Sequence, residues 1–311
     1  MVRYLRVARV AAFTVLGCSA AVMGCGAGSG DETMGSEGDS TSEGDSTSEG
    51  DSSSGDTTTG DTSSSGDTTT GDTSSSSDTT TGDTSSSSDT TTGDGDLDPP
   101  AGQSSGGSGG GASAGSVEQA GNITYRLIAP GSAGPYPLLI VYSGVEGGAN
   151  MTSNLSMVKD FVGAQDFVFA VLDGVTYNGN GAAGATVLDA VRALYDIDND
   201  RTYLLSESAG TTAGLELGLQ LRQSYFAGYW VNDVNANGAP MLSAAELGFQ
   251  PYGNVGPGGD FVDANAIVAA MQAADYRTPP PAPYDGPGSD THGDTNQFIA
   301  AMQWFPGKTR Q

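Results

Sequence analysis

The sequence is poor in the residues that most often carry cross-links or metal chemistry. Its two cysteines, Cys18 and Cys25, lie in the first 25 residues, so the rest of the chain has no disulfide and its stability must come from packing. His292 is the only histidine. One histidine and no cysteine leave a metal only carboxylate ligands, which zinc does not favour, so metal-dependent hydrolysis is set aside and no metal or other cofactor is expected. Positive charge is scarce too: 11 Lys and Arg stand against 37 Asp and Glu, a formal net charge of −26. Residues 29–100 hold 18 acidic side chains and no Lys or Arg, and residues 116–311 hold 19 acidic and 8 basic. Neither stretch offers the basic face that phosphate neutralisation needs, which excludes nucleic-acid binding. From Ser29 to Ser116 the only bulky apolar residues are Met34 and Leu97. Without apolar surface to offset a backbone entropy of roughly 1–2 kcal/mol per residue, that stretch cannot build a core.

What is there falls into three parts. Arg3, Arg6 and Arg9 precede an apolar run from Val10 to Met23, the order of an export signal and too short to span a membrane stably. The run Val22, Met23, Gly24, Cys25 resembles a bacterial lipobox, which implies cleavage after residue 24 and lipid on Cys25; Cys18, after Val15, Leu16 and Gly17, is the rival site. Residues 25–116 read as an acidic linker, with GDTSSSSDTTT at 71–81 and again at 82–92. Like-charge repulsion extends such a chain, so it reads as a spacer holding the folded part away from a membrane.

Residues 117–311 carry the pattern of alternating strands and helices. Asn122–Ala129, Pro135–Tyr142, Phe167–Leu172, Arg201–Ser206, Phe226–Val231 and Phe249–Val255 read as strands, several of them continuous apolar runs expected to be covered on both faces. Thr152–Val162, Ala182–Tyr195, Thr211–Arg222, Ala264–Ala274 and Thr295–Trp304 read as helices. The fold class is therefore α/β: a mainly parallel sheet with helices on both faces and little or no cap.

The chemistry concentrates at Ser206-Glu207-Ser208-Ala209-Gly210, where a strand ends and a helix begins. A tight turn there lifts the Ser208 hydroxyl above the sheet edge, where backbone N–H groups can receive an oxyanion. An ordinary helix N-cap would also favour serine. His292, just before the last helix, is the candidate base. Between them in the chain stand three acids: Asp260, preferred because it follows the strand Phe249–Val255, then Asp263, and Asp233 after the strand ending at Val231. The order Ser208, Asp260, His292 is the chain order of an α/β-hydrolase triad. Asp196, Asp198 and Asp200 alternate as calcium ligands do, but they lack the glycine and distal glutamate of an EF-hand, and a helix-to-strand turn explains them. GVEGGAN at 144–150 lacks the lysine of a phosphate-binding loop.

From Pro135 to Phe305, and most of all in DIDNDRTYLLSESAGTTAG, the sequence resembles secreted esterases of the polyhydroxybutyrate depolymerase and feruloyl esterase type within the α/β-hydrolases. The resemblance implies Ser208 as nucleophile, His292 as base and Asp260 as acid. It maps that family's His-Gly oxyanion loop onto Ser143 and Gly144, making the backbone N–H groups of Val145 and Ala209 the oxyanion donors. Ser143 stands where the family has histidine, and Ser206 where it has glycine. The expectation is an exported, lipid-anchored monomer of the cell envelope that hydrolyses ester or polyester substrates through Ser208, Asp260 and His292. A non-catalytic binding module and a serine peptidase of the same fold are the alternatives.

Overall fold

The computed structural model describes residues 99–310. The export signal, both candidate lipid-bearing cysteines and the repeats of the spacer lie outside the described residues.

Seven strands form one sheet: β1 (Ser113–Ala120), β2 (Ile123–Ala129), β3 (Tyr136–Tyr142), β4 (Val168–Leu172), β5 (Ile197–Glu207), β6 (Gly228–Asn232) and β7 (Tyr252–Val255). Their spatial order is β1-β2-β4-β3-β5-β6-β7. The β1–β2 and β2–β4 pairs are antiparallel, and every pair from β4 to β7 is parallel. The helices are α1 (Gly147–Val158), α2 (Gly181–Leu194), α3 (Thr211–Glu216), the four-residue α4 (Ala244–Leu247), α5 (Phe261–Ala273) and α6 (Thr295–Trp304).

Side chains of a strand alternate between faces, and β3 shows what that does here. Leu138, Ile140 and Tyr142 pack into the core beneath α2, α3 and α5, while Leu139 and Val141 pack into the opposite core with α1 and α6. All seven β3 residues are buried, which is why the strand is a continuous apolar run. The fold is thus of the expected α/β class, a mainly parallel sheet covered on both faces.

Two differences from the sequence reading stand out. β1 begins inside the stretch read as linker: Ser113–Ala120 has almost no apolar alternation and is held by main-chain pairing to β2. Further upstream, residues 99–111 form a strap fastened to the base of β5. The Ser105 N–H donates to the Ile197 carbonyl at 2.8 Å, Gly102 N–H to Asp200 Oδ2 at 2.7 Å, and Arg310 Nη2 to the Pro99 carbonyl at 2.8 Å. The strap itself contributes backbone groups to these bonds, with the side chains of Asp200 and Arg310 among their partners, so no hydrophobic pattern announces them. The three aspartates of the calcium-like spacing are engaged here: Asp198 pairs with Arg201 at 2.6 Å, Asp200 with Arg310 at 3.0 Å, and Asp196 accepts from Gly106 N–H at 3.0 Å.

Candidate active site

β5 ends at Glu207, and the chain turns at once through a single 3₁₀ turn, Ser208–Gly210, into α3. Ser208 adopts φ 48°, a left-handed conformation that costs an L-residue roughly 1–2 kcal/mol and marks a turn held by its surroundings. Small neighbours make the turn possible. A Cβ on Gly210 would stand 2.6 Å from Tyr142 Cβ, and one on Gly214 would stand 2.3 Å from Ser206 Cβ. The second distance explains how serine is tolerated at 206: the room it needs is left by the glycine one helical stretch later. Its hydroxyl is satisfied by Tyr229 Oη at 2.9 Å.

Ser208 Oγ lies 2.9 Å from His292 Nε2. The serine is buried and the histidine exposed, so the pair sits at an open rim. The structure therefore brings together two residues 84 positions apart that the sequence reading had joined.

The three candidate acids part company. Asp233 follows β6 directly, takes φ 48° and is buried. Its Oδ2 accepts from the Gly293 N–H at 2.8 Å, and its Oδ1 accepts from Gln297 Nε2 on α6. Burial pushes its carboxyl up, while the Gly293 amide, the His292 imidazole and Gln297 each favour the ionised form. Asp260, the acid preferred from sequence, is instead the N-cap of α5, its Oδ1 accepting from the Asp263 N–H at 3.1 Å. Asp263 accepts from Asn237 Nδ2 at 2.8 Å. None of the three makes a hydrogen bond to His292 among the described residues; Asp233 alone bonds the backbone of the next residue, Gly293. The difference in placement has a simple cause: a carboxylate opening a helix is drawn to that helix's own free N–H groups, whereas Asp233 is turned toward the histidine loop.

The loop after β3 is tied down at several points. Ser143 N–H donates to the Leu172 carbonyl at 3.0 Å, and its Oγ accepts from the Gly174 N–H at 3.1 Å. Gly148 N–H donates to Asp173 Oδ2 at 3.0 Å. Burial pushes the Asp173 carboxyl up, but the Thr176 and Gly148 amides outweigh it and hold the group below its usual range. Gly144 N–H is occupied by Glu146 Oε1 at 2.9 Å. The N–H groups of Val145 and Ala209, the expected oxyanion donors, meet no acceptor among the described residues.

Two carboxylates at the rim were not anticipated. Burial pushes Glu146 up, with Asp233 and Asp173 adding to the effect. Glu207, between the two serines of the turn, is pushed up to about 8 by burial, then by Glu146 and Asp233. No sequence motif flags either, because the shift arises from neighbours that only the fold supplies. Among the described residues, no group of three or more His, Cys, Asp or Glu is placed to hold a metal ion.

No protein-family model matches the sequence, and no curated protein matches it. Solved structures do. A thermostable esterase is similar at 16% identity and TM-score 0.42, over 60% of this chain and 60% of that one. A poly(3-hydroxybutyrate) depolymerase from Bordetella parapertussis is similar at 17% identity and TM-score 0.34, over 43% of this chain and 58% of that one. A poly(aspartic acid) hydrolase from Sphingomonas sp. KT-1 is similar at 11% identity and TM-score 0.46, over 63% of this chain and 99% of that one. The chain thus covers less than two thirds of the length of the first two.

Proposed function

We propose that this chain is a serine hydrolase that cleaves carboxylic esters through an acyl-enzyme. The observation that carries the reading is the 2.9 Å hydrogen bond between the chain's only imidazole and the hydroxyl of a serine held at positive φ on a strand-to-helix turn. In this reading Ser208 Oγ attacks the ester carbonyl carbon while its proton passes to His292 Nε2. The tetrahedral oxyanion is held by the Val145 and Ala209 N–H groups. Collapse breaks the bond to the alcohol oxygen, which leaves with the proton from His292. Water, deprotonated by the same imidazole, then releases the acid and restores Ser208. Asp233 orients the imidazole and stabilises its cation, the role that the sequence alone had assigned first to Asp260. The exposed histidine and the four-residue α4, the one helix between β6 and β7, suit a substrate that approaches an open rim, such as a polymer end or a small ester.

The reading extends to location: Cys25 carries lipid, residues 25–98 act as spacer, and the protein sits on the cell envelope. No helix among the described residues is long and apolar enough to cross a membrane.

Labelling with a fluorophosphonate tests the chemistry. The wild-type protein should be labelled and Ser208→Ala should not; an unlabelled wild type, or equal labelling of both, overturns the nucleophile assignment.

A further inference from the structure

On the face of the sheet covered by α6, that helix and the segment 279–284 border an open cavity of about 460 Å³. The segment is fixed to the edge strand β7, because Asn254 Nδ2 donates to the Pro281 carbonyl at 3.0 Å and the Tyr284 N–H donates to the Val255 carbonyl at 2.8 Å. Both tryptophans of the chain, Trp230 and Trp304, line the cavity, and Tyr284 completes an aromatic wall. The Trp230 ring centroid lies 5.5 Å from that of Trp304 and 5.8 Å from that of Tyr284. Trp230 is buried, while Trp304 and Tyr284 are half-buried and keep ring surface open to a ligand. None of the lining residues belongs to the proposed ester machinery.

One charged side chain lines this cavity, the half-buried Lys308. Its ammonium lies 4.1 Å from the Trp304 ring centroid and donates to the Trp304 carbonyl. An ammonium carries three donors, and no carboxylate comes within ion-pair reach of this one among the described residues. The lack is unexpected where acids outnumber bases 19 to 8, over residues 116–311. Burial pushes the group down to about 8, with no acid holding it up. A charge taken partly out of water is ordinarily paired.

The ligand that fits joins a flat apolar body to a single negative charge. One ammonium matches one carboxylate, whereas a phosphate group would bring nearly two charges. The chain's own acidic stretch, residues 29–98, contains no aromatic residue and would leave the rings unmatched. We propose that this cavity binds an aromatic monocarboxylate, its ring against Trp304 and Tyr284 and its carboxylate on the Lys308 ammonium. The exposed Gln303 side chain offers an amide donor at the same wall. Binding needs no turnover at Ser208, so the site is independent of the hydrolase reading.

Because both tryptophans line the cavity, indole fluorescence of the full chain reports on it directly. Sodium benzoate is the probe, with benzyl alcohol as the neutral ring and acetate as the anion without a ring. A saturable change with benzoate, at an affinity about tenfold above either control and weakened about tenfold in both Lys308→Met and the cavity-filling Ala300→Leu, supports the proposal. Equal affinity for benzoate and either control overturns it. So does benzoate affinity unchanged in a Lys308→Met that melts like wild type. Should that variant fail to fold, Ala300→Leu decides, and benzoate binding there as tight as in wild type overturns the placement.

Discussion

The sharpest test of the site compares Asp233→Asn with Asp260→Asn. Asp233 is buried and accepts from two donors, the Gly293 N–H and Gln297 Nε2. An asparagine keeps one acceptor oxygen and turns an NH2 group toward the other donor, so one hydrogen bond is lost and buried N–H groups are left facing each other. That mismatch costs about 1–3 kcal/mol of stability. The imidazolium formed during attack also loses its counter-charge. In a serine triad, replacing the acid by its amide costs about 10⁴ in kcat, roughly 5 kcal/mol of barrier. Asp260→Asn should behave otherwise, because asparagine caps a helix about as well as aspartate and the Asp263 N–H still finds an oxygen. Its rate should stay within about twofold of wild type, since the change neither removes a buried partner nor disturbs the cap. The assay is kcat/KM on a chromogenic acetate ester, with thermal unfolding as the check that each variant is folded. A folded Asp233→Asn that keeps full rate, or an Asp260→Asn that loses it by about 10³, would refute the assignment of Asp233.

Other consequences follow from the same geometry. Gly214→Ala should lower stability by about 1–3 kcal/mol through overpacking, since its Cβ would stand 2.3 Å from Ser206 Cβ; adding Ser206→Gly should restore only part of the loss in urea denaturation, because Tyr229 Oη would still stand 2.9 Å from the new Cβ and would lose its bond to Ser206. Glu207 titrates from its usual 4.5 up to about 8 on folding, so the unfolded chain sheds that proton first and stability falls as pH rises from about 4.5 to 8. Denaturation across that range should show the decline in wild type and a shallower one in Glu207→Gln. Arg310→Ala removes the bonds to Asp200, Ser224 and Pro99; it should expose residues 99–111 to limited proteolysis while leaving ester turnover unchanged.

Much of this architecture was readable from sequence wherever burial dictates composition. PYPLLIVY and FVFAVL are apolar because β3 and β4 are covered on both faces, and α6 lies where its periodicity puts it, at Thr295–Trp304. α1 starts earlier than read, at Gly147, because its first turn is made of the same glycine-rich loop that seemed to precede it. β1 and the strap were invisible since each is held largely through its own main-chain groups, common to all residues. At the site, Ser208 and His292 carried signals of turn chemistry and scarcity. The proposed acid did not, because Asp233 and Asp260 both follow strands that end on the same edge, and only the turn each adopts decides where its carboxylate points. Glu146 and Glu207 were silent for a deeper reason: desolvation belongs to a place in the folded chain and leaves no mark on a residue type.

The strap meets β5 at Ile197, and the Ser208 hydroxyl follows that same strand's other end at Glu207, about 23 Å away by the rise of β3, whose Tyr136 and Tyr142 pair with Ile197 and Ser206. Tension arriving through residue 98 would thus be borne by a row of short bonds at the foot of the molecule, with Arg310 as rivet. Shaking or drag on the lead chain would be dissipated there before it could pry Ser208 from His292.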